Sequence, residues 1–213
     1  AFFLSFVVWF NLAPLATTVR ADLGLTLGQI RTVAICNVAL TIPARVLIGM
    51  LLDKYGPRIT YSGILVFSAI PCLMFASAQD FNQLVISRLL LSIVGAGFVI
   101  GIRMVAEWFP PKEIGLAEGI YGGWGNFGSA FSALTMVALA GFLSFSGGFE
   151  LPTGAVLNWR GAIALTGIIS AIYGVFYFFN VTDTPPGKTY QRPSKTAGLE
   201  VTSMRDFWGL LGM

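Results

Sequence analysis

Six long apolar stretches constrain what this chain can fold into more than any other feature. They cover approximately residues 2–19, 30–52, 59–78, 81–106, 116–145 and 159–180. A helix needs about 20 apolar residues to cross a hydrocarbon core about 30 Å thick, and inside lipid every backbone N–H and C=O must be paired within the protein. Hydrophobic residues make up 55% of the chain and charged residues only 11%. The sequence therefore predicts an all-α membrane protein with six transmembrane helices.

Lysine and arginine are unevenly divided between the two sides of these spans. The loops after the second and fourth spans, together with the tail, carry Lys54, Arg58, Arg103, Lys112, Lys188, Arg192, Lys195 and Arg205. The opposite side carries Arg20, Arg31 and Arg160. Cytoplasmic loops are enriched in basic residues. We therefore expect a multi-pass protein of the plasma (inner) membrane with a cytoplasmic N-terminus and a cytoplasmic tail.

The chain divides into residues 1–180, which contain the six spans, and residues 181–213, which are polar. Pro185, Pro186 and Pro193 lie among lysine, threonine and serine in this second part, a composition that cannot bury a core. We interpret residues 181–213 as a cytoplasmic linker. Because the first residue already lies inside an apolar run, we expect the chain to be a fragment of a longer protein.

Several kinds of chemistry find no support in the sequence. It contains no histidine, which is the usual proton carrier near neutral pH and the commonest metal ligand. Cys36 and Cys72 lie in apolar runs without a partner motif, so we interpret them as small hydrophobic residues. No nucleophile stands beside a base, and no glycine-rich phosphate loop follows a strand. We expect neither an enzyme nor a cofactor, and the net charge of +3 comes mainly from loops, so it does not indicate nucleic-acid binding.

The fifth span contains an unusual glycine-rich stretch, GIYGGWGNFGSAFSALTM, at residues 119–136. Gly122, Asn126 and Ser129 follow one another at helical intervals of four and three, which places them on one face. Glycine lets a ligand or a neighbouring helix approach the backbone. Two interpretations stay open: helix packing with an inter-helix hydrogen bond from Asn126, or a binding surface.

Arg45 interrupts the second span and is the strongest candidate for binding a ligand. A cation at the bilayer centre costs about 2.5 to 3.5 kcal/mol on insertion scales, so such residues usually face a cavity or a partner. The acidic residues of the sequence all lie at span ends or in loops. Asn37 and Thr41 precede Arg45 at intervals of four, which predicts a polar stripe leading to it. The alternative is a structural arginine bonded to the carbonyls of a broken neighbouring helix.

The depth of Arg45 in the membrane matches that of Asn126. Arg45 lies eight residues before Asp53, and Asn126 lies eight residues after Glu118, on spans that run in opposite directions. At a rise of 1.5 Å per residue, both are about 12 Å from the cytoplasmic boundary. A guanidinium fork suits a small planar oxyanion, so the two could share one anion site. Arg88, early in the fourth span, fits a packing role or a cavity role equally well.

The segments at residues 49–58, 88–95 and 122–128 (GMLLDKYGPR, RLLLSIVG and GGWGNFG) resemble motifs of the nitrate/nitrite porters of the major facilitator superfamily. The segment GMLLDKYGPR at residues 49–58 resembles the superfamily signature between the second and third spans, and RLLLSIVG at residues 88–95 resembles its fourth-span pattern. The segment GGWGNFG at residues 122–128 resembles the nitrate signature of the fifth span, although Ser129 and Ala130 stand where many relatives continue with glycine. The resemblance covers essentially the whole chain.

This resemblance implies a fold, a mechanism and a set of site residues. The chain would be the N-terminal six-helix half of a transporter, built as two inverted three-helix repeats, with a C-terminal six-helix half elsewhere in the same protein. It would carry nitrate or nitrite by alternating access, with a coupled proton or counter-anion. The implied substrate residues are Arg45 and Asn126. Their position in the sequence adds Gly122, Gly125, Asn37 and Thr41 to the expected substrate site. The implied cytoplasmic latch consists of Gly49, Asp53, Gly56 and Arg58, with Glu107 or Glu118 as further members.

Two other functions remain open at this point. A transporter of a small mono- or dicarboxylate would use Arg45 equally well, so the preference for nitrate depends on the Asn126 segment. A receptor built on the same helices would bind a ligand without moving it across the membrane. These residues do not determine whether nitrate or nitrite is preferred. They also leave open the direction of transport, the coupling mode and the oligomeric state.

Overall fold

The computed structural model describes residues 1–187 and Tyr190. Within that part, six helical segments are long and apolar enough to cross a membrane, which confirms the predicted six-span, all-α architecture. The spans are Phe2–Asp22, Leu27–Tyr55, Pro57–Ser77, Phe81–Trp108, Ile114–Ser146 and Trp159–Asn180. Most of the predicted linker, residues 181–213, lies outside the described residues.

Most spans consist of two helices joined by a short break. The α-helices are α1 (Phe2–Trp9), α2 (Ala16–Asp22), α3 (Leu27–Ala39), α4 (Thr41–Tyr55), α5 (Pro57–Phe67), α6 (Ala69–Ser77), α7 (Phe81–Leu91), α8 (Gly97–Trp108), α9 (Ile114–Phe142) and α10 (Trp159–Asn180). Single 3-10 segments lie at Ala13–Leu15, Ser92–Ala96 and Leu143–Ser146. Two short strands, β1 (Phe149–Glu150) and β2 (Val156–Leu157), pair antiparallel in the loop between the fifth and sixth spans.

Proline explains three of the breaks. Proline lacks a backbone N–H and its ring clashes with the carbonyl four residues earlier. The helices α1, α3 and α5 end one residue before or at that carbonyl, ahead of Pro14, Pro43 and Pro71 respectively. The first three spans therefore bend at positions that the sequence dictates.

Three pairings of spans form most of the core. The first span packs along the fifth, through α1 and α9, and the sixth span packs along the third, through α10 with α5 and α6. The second span packs against the fourth. Trp159, Arg88, Tyr61 and Phe75 are the largest fully buried side chains.

The second and fifth spans are the least covered by the rest of the helices. Only 28% and 22% of their apolar windows are buried, whereas the other four spans reach 39% to 56%. Both of the candidate anion-binding residues lie on these two spans. The faces left open by the described helices are thus the faces on which the sequence places the binding chemistry.

Candidate functional site

Arg45 lies in α4 with its side chain exposed. Its guanidinium carbon is 5.8 Å from the ring centroid of Phe98, a residue of α8 in the fourth span. The ion pairs found among the described residues, Arg103–Glu107 and Arg160–Asp22, do not include it. Its planar donors are therefore exposed beside an aromatic ring, without a carboxylate partner in residues 1–187.

Asn126 is also exposed, on α9 in the fifth span. One N–H of its amide donates to the carbonyl of Gly122 at 2.8 Å, one turn earlier in the same helix. A primary amide has two donors and an oxygen acceptor, so this bond leaves a second donor for a ligand. A Cβ built on Gly122 would meet nothing within 4 Å, and the backbone beside the amide is therefore open to a small molecule.

The glycines of α9 divide between two faces with different surroundings. A Cβ on Gly125 would lie 1.9 Å from the ring of Phe2, and one on Gly128 would lie 2.3 Å from the carbonyl oxygen of Phe3. A Cβ on Gly119 would meet nothing within 4 Å, as at Gly122. Gly125 and Gly128 thus allow α9 to approach α1, whereas Gly119 and Gly122 lie on the open face.

Two aromatic rings separate Arg45 from the fifth span. The Phe98 ring beside Arg45 lies 5.7 Å from the ring of Phe2. The Phe2 ring in turn stacks on Tyr121 of α9 at 4.6 Å. Arg45 and Asn126 are therefore exposed on different spans, and the Phe98 and Phe2 rings lie between Arg45 and Tyr121 of the fifth span.

Asn37 and Thr41 differ from the polar stripe that their spacing predicts. Both are buried: the amide of Asn37 donates to the carbonyl of Trp9 at 2.8 Å, and the hydroxyl of Thr41 donates to the carbonyl of Ser92 at 3.2 Å. Four residues of α-helix turn about 400°, so each interval of four rotates the side chain by about 40°. The break ahead of Pro43 adds to this drift. Asn37 and Thr41 accordingly hold the second span against the first and fourth.

Arg88 is fully buried at the centre of a polar cluster. Its terminal nitrogens donate to the side-chain oxygens of Asn11 at 3.0 Å and Asn37 at 3.5 Å. The guanidinium also lies 4.0 Å over the ring centroid of Phe75, a cation–π geometry. The Asn11 amide continues the cluster by donating to the hydroxyl of Thr166 at 3.0 Å. The cluster joins the first, second, third, fourth and sixth spans, and its residues are enclosed by those spans.

Asn11 and Thr166 are members of this cluster that the sequence analysis did not single out. The available signal was a polar side chain within each apolar span, Asn11 three residues before Pro14 and Thr166 in the middle of the sixth span. Such residues usually bond to a neighbouring helix in a membrane. Their pairing with Arg88 depends on helix rotations that the sequence alone does not give.

The latch residues lie around the junction of the second and third spans: Gly49 and Asp53 belong to the end of α4, and Arg58 belongs to the beginning of α5. We call residues 53–58 the latch loop. Asp53 is exposed, and Gly56 has a φ of +83°, which permits the turn into α5. Gly49 has open space beside it, since an added Cβ would meet nothing within 4 Å. Arg58 places its guanidinium carbon 5.0 Å over the ring of Phe178. Among the expected further members, Glu107 pairs with Arg103 at 2.8 Å within α8.

The described residues contain no group of three or more histidine, cysteine or acidic side chains arranged to hold a metal ion. The candidate binding groups on the exposed faces are the guanidinium of Arg45, the amide of Asn126 and the backbone at Gly122. These groups bind anions through hydrogen bonds and charge.

A family model for the Major Facilitator Superfamily matches residues 1–212. The chain therefore belongs to the Major Facilitator Superfamily, as its motifs indicate. Its fold agrees with a solved structure, a bacterial homolog of the human lysosomal transporter Spinster in an inward-facing, unoccupied conformation, with a TM-score of 0.72 at 20% identity. That match covers 99% of this chain and 47% of the Spinster homolog.

Curated relatives place the chain beside nitrate and nitrite transporters within the superfamily. It is 63% identical to the nitrate/nitrite transporter NrtP of Picosynechococcus sp. over 100% of this chain, and 61% identical to NrtP of Nostoc punctiforme over 99%. It is 31% identical to the probable nitrate/nitrite antiporter NarK1 of Thermus thermophilus over 88% of this chain. The chain spans 41% to 42% of the length of these relatives. They confirm the resemblance to nitrate/nitrite porters that the motifs indicate.

Proposed function

We propose that this chain forms the six-helix half of a transporter that moves nitrate, nitrite or both across a plasma membrane by alternating access. The observation that carries the proposal is the exposed guanidinium of Arg45 in a membrane-spanning helix, without a carboxylate partner among the described residues. A buried or membrane-embedded cation requires compensation, and a small anion supplies it. The names of the NrtP relatives favour nitrate and nitrite as that anion.

Arg45 binds the anion through its planar fork, because two parallel N–H donors match two oxygens of a planar oxyanion. Asn126 supplies a neutral donor from the fifth span, and Gly122 leaves the backbone open beside it. Gly125 does not contact the anion: its missing side chain lets α9 approach Phe2, and this packing positions Asn126. Asn37 and Thr41 hydrogen-bond the second span, which carries Arg45, to the first and fourth spans.

The open faces of the second and fifth spans are where a second six-helix half docks. These spans are the least buried of the six, and they carry Arg45 and Asn126. A site that lies between two halves becomes accessible from either side as the halves rock about it. The latch of Gly49, Asp53, Gly56 and Arg58 acts on the side with the basic loops, which we take to be cytoplasmic.

Exchange of nitrate for nitrite is the coupling mode that the described spans favour. The described acidic side chains lie at span ends or in loops, and the sequence has no histidine, so this part of the protein offers no chain of proton-carrying groups through the membrane. The name of the Thermus relative, a probable nitrate/nitrite antiporter, agrees with exchange. Symport with a proton would require a carrier group in the other half.

Uptake by the full-length protein in liposomes tests this function. Labelled nitrate should enter, unlabelled nitrite should compete, and nitrite trapped inside should stimulate uptake. Formate, acetate and succinate should compete poorly. Uptake of a carboxylate in place of nitrate would establish the alternative substrate class, and tight nitrate binding without any flux would establish a receptor.

A further inference from the structure

The carboxylate of Asp183 lies against the beginning of the third span. Its Oδ1 accepts a hydrogen bond from the backbone N–H of Arg58 at 2.6 Å. Asp183 follows the end of α10 at Asn180, whereas Arg58 is the second residue of α5. The first N–H groups of a helix have no partner within the helix, and a negative charge is favoured at that end. Asp183 thus caps α5 from a segment 125 residues away in sequence.

Gly56 makes room for this cap. A Cβ on Gly56 would lie 3.0 Å from Oδ1 of Asp183 and 3.1 Å from its carboxyl carbon. Gly56 precedes α5 at the position where serine, threonine or aspartate commonly caps a helix through its own side chain. Glycine has no side chain to do so, and α5 receives the cap from Asp183 instead.

Further contacts hold the segment after the sixth span across the same loop. The guanidinium of Arg58 lies over Phe178 in the last turns of α10. The hydroxyl of Tyr190 donates to the carbonyl of Leu52 at 3.2 Å, one residue before Asp53. The Tyr190 ring faces the guanidinium of Arg103 at 5.6 Å. Leu52, just before the latch loop, and Arg58, at its end, are therefore both hydrogen-bonded to the segment that follows α10.

We propose that Asp183 is a positioning residue that fixes the latch loop, residues 53–58, through its bond to the Arg58 backbone. The loop carries Asp53 and the side chain of Arg58, so its position sets where these groups meet the second half of the transporter. The hydrogen-bond donor to Asp183 among the described residues, the Arg58 amide, belongs to the same six-helix unit, so rocking of the two halves leaves this bond intact. The effect on transport rests on the proposed function, whereas the bond and its effect on the loop do not.

Hydrogen exchange of the full-length protein in detergent tests the positioning step without any substrate. In Asp183→Ala the amide of Arg58 loses its acceptor, and its exchange should become about tenfold faster, as expected for a hydrogen bond to a charged group. Asp183→Asn keeps an oxygen acceptor and should give a smaller increase, about twofold to threefold. Glu113→Ala removes an exposed carboxylate on the same side of the membrane and should leave the Arg58 amide as in the wild type.

Unchanged exchange at Arg58 in folded Asp183→Ala overturns the proposal. If the alanine variant does not accumulate, Asp183→Asn decides the matter by the same comparison with Glu113→Ala.

Transport by the same variants tests the consequence for the latch. Asp183→Ala should reduce the maximal rate of nitrate uptake in liposomes about threefold or more, with the half-saturating concentration close to wild type, because the anion site is not touched. Faster exchange at Arg58 with an unchanged maximal rate would show that Asp183 only stabilises the fold, and would overturn its role as a positioning residue. Absence of nitrate uptake in the wild type would contradict the proposed function, while the exchange result would still decide the bond.

Discussion

Arg45 and Arg88 both interrupt apolar spans, but one side chain is exposed and the other is buried. Arg88 is fully buried, bonded to Asn11 and Asn37 and stacked on Phe75. Arg45 is exposed beside Phe98. A buried cation in contact with amides and a ring is a structural element of the fold, whereas an exposed cation within the membrane requires a partner from outside these helices.

Replacing Arg88 by methionine should destabilise the protein. Both asparagine oxygens would lose their donor inside the membrane core, at a cost of about 1–3 kcal/mol for each unsatisfied group. Thermal unfolding of the detergent-solubilised full-length protein measures the effect. Arg31→Met, at an exposed position near the beginning of the second span, is the control and should shift the midpoint little. Equal midpoints for the two variants would rule out a structural role for Arg88.

The two arginines also show what the sequence reveals about single residues. It places both in spans and gives their depths, because depth follows from counting residues along a helix. It does not distinguish which one is enclosed, because that depends on the rotation of each span. Asn37 and Thr41 illustrate the same limit: their spacing of four suggests a common face with Arg45, and helix drift together with the break ahead of Pro43 turns them into the core.

At the level of elements, the glycines of α9 separate packing from binding. Gly125 and Gly128 lie against Phe2 and the Phe3 backbone, and Gly119 and Gly122 lie on the open face. The sequence predicts both kinds of role for this stretch but does not assign them. The assignment requires knowing which face of α9 packs along α1.

Gly128→Ala should separate α9 from α1. Its new methyl group would overlap the carbonyl oxygen of Phe3, which is backbone and cannot rotate away. Overpacking of this kind costs about 1–3 kcal/mol. Gly119→Ala is the matched control on the same helix and should be neutral or slightly stabilising, since it meets open space and alanine favours helix. Comparable melting midpoints for both variants would contradict this packing.

The six spans themselves were predictable because the physics that selects them is local. An apolar run of the right length must be helical in lipid, and the ends of all six structural spans lie within three residues of the predicted apolar limits. The internal breaks follow from Pro14, Pro43 and Pro71. The pairing of the spans is not local, and the sequence alone does not provide it.

At the level of the whole molecule, the proposed function places a second six-helix half over the least buried spans. The second and fifth spans keep most of their apolar windows unburied, and the chain covers about two fifths of the length of its NrtP relatives. Both observations are consistent with a partner unit of similar size that closes over Arg45 and Asn126. Binding and movement would then be properties of the two halves together.

Asp53→Asn should slow transport in the full-length protein without weakening nitrate binding. Asp53 is exposed on the latch loop, so its charge is available to groups beyond this six-helix unit. The variant should show a reduced maximal uptake rate and a wild-type half-saturating concentration in liposomes, with Glu113→Gln as the exposed-carboxylate control. A wild-type rate in well-expressed Asp53→Asn would count heavily against the latch.

Nitrate uptake by Arg45→Lys is the most direct test of an anion site at Arg45. Lysine keeps the positive charge and loses the planar fork, so we expect a loss of about tenfold or more in nitrate uptake by the reconstituted full-length protein, with an unchanged melting midpoint. Arg31→Lys is the same substitution at an exposed span end and should transport as the wild type does. Uptake by Arg45→Lys within about twofold of the wild type would contradict the placement of the anion at Arg45.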